Sequence, residues 1–155
     1  IRANAWESLR AEDVTVAEVL RAQGYATALI GKWGLGDQAS PGAPDRQGFD
    51  YFFGYLDQGR AHRYYPEFLW RGREKVEYPG NPEARTHDSH DEMTREALAF
   101  IERSQNGPFF LYLAHSMPHL PWHVSERFQG TSDWGLSGDV IQEIDWSLGE
   151  ILDTR

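Results

Sequence analysis

Three glycines surround a single lysine in Gly31-Lys32-Trp33-Gly34-Leu35-Gly36. Such a segment lets the backbone approach a ligand closely while an ammonium faces whatever anion sits there. The glycine spacing differs from a Walker phosphate loop, and no Ser or Thr follows Lys32. A second stretch, His115-Ser116-Met117-Pro118-His119-Leu120-Pro121, places two histidines four residues apart between prolines. A loop histidine acts as a general acid, or as a charged donor to an oxyanion near neutral pH. A metal pair is the other option, although the intervening Glu of the helical zincin pattern is missing. From Arg60 to Trp70, cations (Arg60, His62, Arg63) alternate with rings (Tyr64, Tyr65, Phe68, Trp70). These residues suit a carbohydrate or anion platform, and they equally suit a long loop packed onto a sheet. Asp139, Glu143, Asp145, Glu150 and Asp153 are expected on the solvated face of a helix, with no metal site among them.

The segments between are the scaffold. Thr15-Val16-Ala17-Glu18 has capping-box spacing, and Val16, Val19 and Leu20 mark one helical face ended by Gly24. Tyr25 to Ile30 is a short apolar run stopped by Gly31, expected as a strand buried on both faces. From Gly34 to Asn81 no period of 2 or 3.6 persists, so an irregular, aromatic-rich insertion is expected over about 34–88. A second capping box at Ser89-His90-Asp91-Glu92 opens a helix with Met93, Ala97, Phe100 and Ile101 on one side. Phe109 to Ala114 is again continuously apolar, expected as a second buried strand running into the histidine loop. In open α/β sheets, ligands bind at the carboxyl ends of strands. Lys32 and His119, each following a strand, are thereby expected to converge on one anion. A last helix over about 137–152 puts Ile141, Ile144, Leu148 and Ile151 on one stripe.

Composition narrows the function. The 155 residues carry 15 Lys+Arg against 24 Asp+Glu, a formal net charge of −9, which argues against a nucleic-acid partner. A 40% hydrophobic content with 14% aromatics is enough to build a core. No stretch approaches the ~20 apolar residues of a membrane-spanning helix. Cysteine is absent, so disulfides, thiolate ligands and a cysteine nucleophile are excluded within this chain. Ile1 is not an initiator Met and no signal peptide is visible, so the chain is expected to be an internal piece of a longer one.

Four stretches together resemble type I sulfatases of the alkaline-phosphatase-like superfamily. Thr15 to Leu20, Gly24 to Thr27 and Gly31-Lys32-Trp33 resemble the family's TLAExLKxxGYxTxxxGKWHLG. Gln47 to Gly54 resembles GFDxFFG, Phe109 to Pro121 resembles PFFLYLxxxxPHxP, and Glu143 to Leu152 resembles ELDxxVGxIL. The matches run in family order from Val14 to Leu152.

The resemblance implies the central part of an α/β/α sandwich, with residues 1–155 forming part of a single sulfatase catalytic domain. It implies that Lys32 binds the sulfate group and that His119 contacts the ester and assists its leaving oxygen. It also implies Ca²⁺ in the full-length protein, with no metal ligands in this chain, a small-molecule or glycan sulfate ester as partner, and a secreted or periplasmic location. Two departures stand out. Gly34 occupies the place of a family histidine that contacts the nucleophile, and His62 or His115 are the substrate-binding candidates to replace it. The C/S-x-P-S-R motif that yields the formylglycine nucleophile does not occur, so the piece alone is expected to be inactive, with apolar strand edges left open. Beside a sulfate-ester hydrolase stand two alternatives: a phosphate mono- or diester hydrolase of the same superfamily, and a non-catalytic paralogue that binds anionic glycans.

Overall fold

The computed structural model describes residues 7–154 of the chain; Ile1 lies outside them. Helix α1 (Val16–Ala22) starts as its capping box requires, with the Thr15 hydroxyl accepting the Glu18 N–H and the Glu18 carboxylate accepting the Thr15 N–H. A turn at Gly24 leads into β1 (Ala26–Lys32). The next segment forms β2 (Tyr51–Tyr55) and an antiparallel hairpin, β3 (Phe68–Arg71) with β4 (Glu74–Glu77). A short helix α2 (Asn81–Ala84) precedes the long helix α3 (Ser89–Ser104); β5 (Phe109–Ala114) and α4 (Gly135–Asp153) complete the chain.

The sheet order is β4-β3-β2-β1-β5, with β2, β1 and β5 parallel. The 34–88 stretch is thus less irregular than its sequence implies, since β2 pairs with β1 inside the sheet. Its Tyr-Phe-Phe-Gly-Tyr run has no alternation because both of its faces are covered. On one face, Ala28, Ile30, Phe53, Tyr55 and Leu69 pack against Met93, Ala97 and Phe100 of α3. On the other, Leu29, Phe52 and Trp33 pack against Ala17 of α1 and Phe49. This is an α/β/α arrangement, α1 on one side and α3 backed by α4 on the other.

The Gly48-Phe49-Asp50 segment is a clamp between the starts of β1 and β2. Thr27 donates its hydroxyl to the Gly48 carbonyl at 2.6 Å and to Asp50 at 3.0 Å, while Asp50 also pairs with Arg21 at 2.9 Å.

Several expectations are corrected. Strand β1 continues through Gly31, so Lys32 is its last residue and stands on the sheet itself. Strand β5 is an edge strand, half-exposed along its length. The cap of α3 is Asp88, whose carboxylate accepts the His90 N–H at 2.7 Å; Ser89 is already inside the helix. On α1 the inward residue is Ala17, while Val16 and Val19 face outward. Helix α4 is likewise turned from its apolar stripe. Ile141 and Leu148 are exposed, whereas Asp139, Val140, Glu143 and Ser147 are buried. The reason is hydrogen bonding to the preceding loop and to α3: Asp139 accepts the N–H groups of Gly130 and Ser132, Glu143 accepts that of Ser125, and Ser147 meets Thr94 of α3 at 2.7 Å. Among the described residues, no helix is long and apolar enough to cross a membrane.

Candidate functional site at the carboxyl edge of the sheet

The register of the parallel strands decides which side chains can meet. Gly31 of β1 lies opposite Ala114 of β5, and Lys32 lies opposite Tyr55 of β2. Lys32 and the loop that begins at His115 therefore leave neighbouring strands at the same edge. Beyond Lys32 the backbone stays tied to β2, with Trp33 N–H donating to Tyr55 O and Gly34 N–H to Leu56 O, both at 2.9 Å.

The histidine loop is pinned from beneath. Tyr64 is buried with Met117 and Val140, and its hydroxyl donates to the His119 carbonyl at 2.6 Å. Burial holds the Tyr64 hydroxyl up at about 12, so it stays a donor at physiological pH. Both Met117-Pro118 and Leu120-Pro121 are cis. The His119 ring is exposed, with Nδ1 2.6 Å from the Leu120 carbonyl. A carbonyl only accepts, so Nδ1 carries the proton and Nε2 is the nitrogen left for a ligand. Against this ring lies His62, stacked at 4.3 Å between centroids and 21° between planes. His62 and His119 are thus brought together from positions 57 apart in the chain. Tyr64 belongs to the Arg60–Trp70 stretch, but nothing in its own sequence context signals that it anchors the loop.

His115 is placed differently from its reading as a substrate-binding residue. Its ring turns inward against His90, 4.9 Å between centroids, and neither ring nitrogen reaches the surface or a hydrogen-bond partner. Around this pair sit Asp88, Ser116, Ser125 and Glu143, each with a buried side-chain oxygen that has no partner. Sequence pattern could not reveal this cluster, because its members come from α3, the β5–α4 loop and α4. Burial lowers the pKa of His115 and, with its neighbour His115 adding to the effect, lowers that of His90 to about 3. Burial also raises Asp88 to about 7, against the pull of the His90 N–H, and raises Glu143.

These shifts have a pH consequence. An unfolded histidine binds its proton near pH 6.5, so acidification protonates the unfolded chain before it protonates folded His90. The contribution of His90 is intact above about pH 6.5 and drains below it by about 1.4 kcal/mol per pH unit. Asp88 acts in the opposite sense. Folded, it holds its proton up to about pH 7, whereas the unfolded carboxyl ionises near pH 3.9, so its contribution is lost as pH rises between the two. His90→Gln is expected to flatten the acid limb of the stability curve by about 1 kcal/mol per pH unit between about pH 6 and 4. Urea midpoints across that range give the comparison, and because Asp88 is common to both proteins the difference isolates the imidazole. Parallel curves would mean that His90 takes up its proton in the folded state.

Gly34 has φ +77°, and a Cβ there would lie 2.5 Å from Gln58 Cγ and 2.6 Å from its Nε2. The Gln58 side chain therefore occupies the space that a residue with a side chain would need. Of the two histidines proposed as replacements, His62 stacks on His119 and His115 packs against His90. Gln58 does have an amide there, and sequence reading missed it. Calcium is implied by the family resemblance, but no group of three or more His, Asp or Glu among the described residues is arranged to hold a metal ion. The residues present do not fit that ion, and no chemical step is assigned to it.

Comparison with known proteins agrees with this architecture. The chain is 36% identical over 146 residues to human N-acetylgalactosamine-6-sulfatase, covering 88% of this chain and 28% of that protein. It therefore spans less than a third of that relative's length. Among solved structures, the PsFucS1 sulfatase from Pseudoalteromonas sp. superimposes with a TM-score of 0.79 at 24% identity, covering 99% of this chain and 37% of the other. BT4656, solved in complex with its substrate D-glucosamine-2-N,6-O-disulfate, gives 0.62 at 27% identity, covering 81% and 23%. The sulfatase family model matches residues 2–154, and the chain belongs to that family.

Proposed function

We propose that this chain is the sulfuryl-gripping part of a sulfate-ester hydrolase, with Lys32 and His119 as its working groups. The observation that supports this reading is the parallel β1–β5 register, in which Lys32 ends the strand beside the one that leads into the His119 loop. A sulfate ester presents anionic oxygens, and negative charge builds on the bridging oxygen as the S–O bond breaks. An ammonium fixed at a strand end offsets the first charge; an imidazolium whose Nε2 is free donates a proton to the second. Stacked His62 holds the His119 ring plane, so less orientation remains to be fixed in the reaction. His115, buried against His90, supports the loop from behind and has no contact with substrate in this reading.

A nucleophile and a calcium site belong to parts of the catalytic domain other than the residues described. The substrate class is a carbohydrate or aryl sulfate, by analogy with the named relatives. Export to the periplasm or the medium belongs to the same reading and rests on the family alone.

The test is turnover by the full-length protein of 4-nitrophenyl sulfate and 4-nitrophenyl phosphate under identical conditions. Preferential release of nitrophenol from the sulfate is expected. Preference for the phosphate would make the protein a phosphoesterase of the same fold. Turnover of neither, together with retained binding of sulfated oligosaccharide, would mark a glycan-binding paralogue, the outcome that Gly34 would then explain.

A further inference from the structure

A cleft of about 710 Å³ opens beside the segment that follows Lys32, with Gly34 and Gln58 at one end and Arg60, Phe68, Trp70 and Lys75 along its wall. Its volume is within the range of about 300–1,000 Å³ typical of small-ligand sites. The wall is the β3–β4 hairpin. Phe68 and Trp70, two apart on β3, share one face of the strand and meet edge to face at 5.6 Å. Lys75, opposite Trp70 in the hairpin register, holds its ammonium 4.3 Å from the Phe68 centroid and 5.6 Å from that of Trp70. The Arg60 guanidinium lies 4.4 Å from the same Phe68 ring.

The charges in the cleft are unequally committed. Three carboxylates line it, and each is engaged: Asp37 by the N–H groups of Ala39 and Ser40, Asp57 by Arg60, and Glu7 in an interaction of its own. Lys75 is exposed and, among the described residues, enters no ion pair. The chain's net charge of −9 makes such an uncommitted cation in a cleft conspicuous. Rings flanking an ammonium suit a sugar that turns a C–H face to the aromatics and an anionic substituent to the cation. The Gln58 amide at the inner end both donates and accepts, which suits a hydroxyl or acetamido group.

We infer that this cleft is the subsite for a second, acidic saccharide unit of the substrate, with Lys75 as the charge partner of its carboxylate or sulfate. The inference rests on the sulfatase reading of the Lys32–His119 edge, and its link to that edge is Gly34, which lines the cleft two residues beyond Lys32.

The experiment measures inhibition of 4-nitrophenyl sulfate turnover by an unsaturated chondroitin 6-sulfate disaccharide, in the full-length protein and its variants. For Lys75→Ala the inhibition constant is expected to rise about tenfold, the size of one charge-assisted contact. The variant's kcat/KM for 4-nitrophenyl sulfate, which has no second unit, is expected to stay within about twofold of the parent. Lys75→Arg should restore most of the inhibition, because it keeps the cation. An unchanged inhibition constant in Lys75→Ala, or an equal loss with both compounds, overturns the subsite. So does failure of the disaccharide to inhibit the parent protein. Turnover of the aryl sulfate by the parent separates these results from a failure of the sulfatase reading itself.

Discussion

Lys32→Ala is expected to lower kcat/KM for an aryl sulfate by at least about 100-fold in the full-length protein. The magnitude follows from where the lysine stands. As the last residue of β1 it is held by the sheet on one side and by two backbone bonds to β2 just beyond it. A charge on such a support needs little reorganisation when the sulfuryl oxygens arrive, so its removal costs the transition state most of the interaction. Thermal unfolding of the variant should match the parent, since Lys32 enters no ion pair among the described residues. Steady-state kinetics within about threefold of the parent would remove Lys32 from the site.

Gly31→Ala is expected to destabilise the fold by about 2–6 kcal/mol, combining overpacking with backbone strain of about 1–3 kcal/mol each. Gly31 has φ +120°, and a Cβ on it would lie 2.0 Å from the Ala114 carbonyl oxygen on β5. Strand spacing is set by the hydrogen-bond ladders, so that oxygen cannot retreat without breaking the pairing that aligns Lys32 with the histidine loop. Gly54, opposite it on β2, repeats the contact toward the Gly31 carbonyl, also at 2.0 Å. Gly24 provides the control. Its φ is +85°, but nothing lies within 4 Å of a Cβ there, so Gly24→Ala should show the strain alone, about 1 kcal/mol. Denaturant midpoints of the two variants decide the matter, and equal losses would show that the close backbone approach at Gly31 has no energetic weight.

Several features of this protein were legible in the order of its residues. The Thr15–Glu18 box and the Gly24 turn rest on contacts within a few residues, and the Met93–Ala97–Phe100–Ile101 face of α3 is written in its helical spacing, although the sheet is what buries it. The two apolar runs announce β1 and β5 for the same reason, and the family resemblance is written in these segments and their order. Tertiary structure decided the rest. Strand β2 has no periodicity of its own; it is a strand because β1 supplies its hydrogen-bond partners. Val16 and Val19 of α1, and Ile141 and Leu148 of α4, contradict the rule that the apolar stripe turns inward. On α4 the buried side instead follows partners distant in sequence, the N–H groups of Gly130, Ser132 and Ser125 and the hydroxyl of Thr94. His115 and His119 look equivalent as a spaced pair, yet packing sends one ring inward to His90 and leaves the other outside on His62. Side-chain type and spacing limit what a residue can do. Which neighbour it meets depends on strand register and on burial, and both are properties of the whole folded chain.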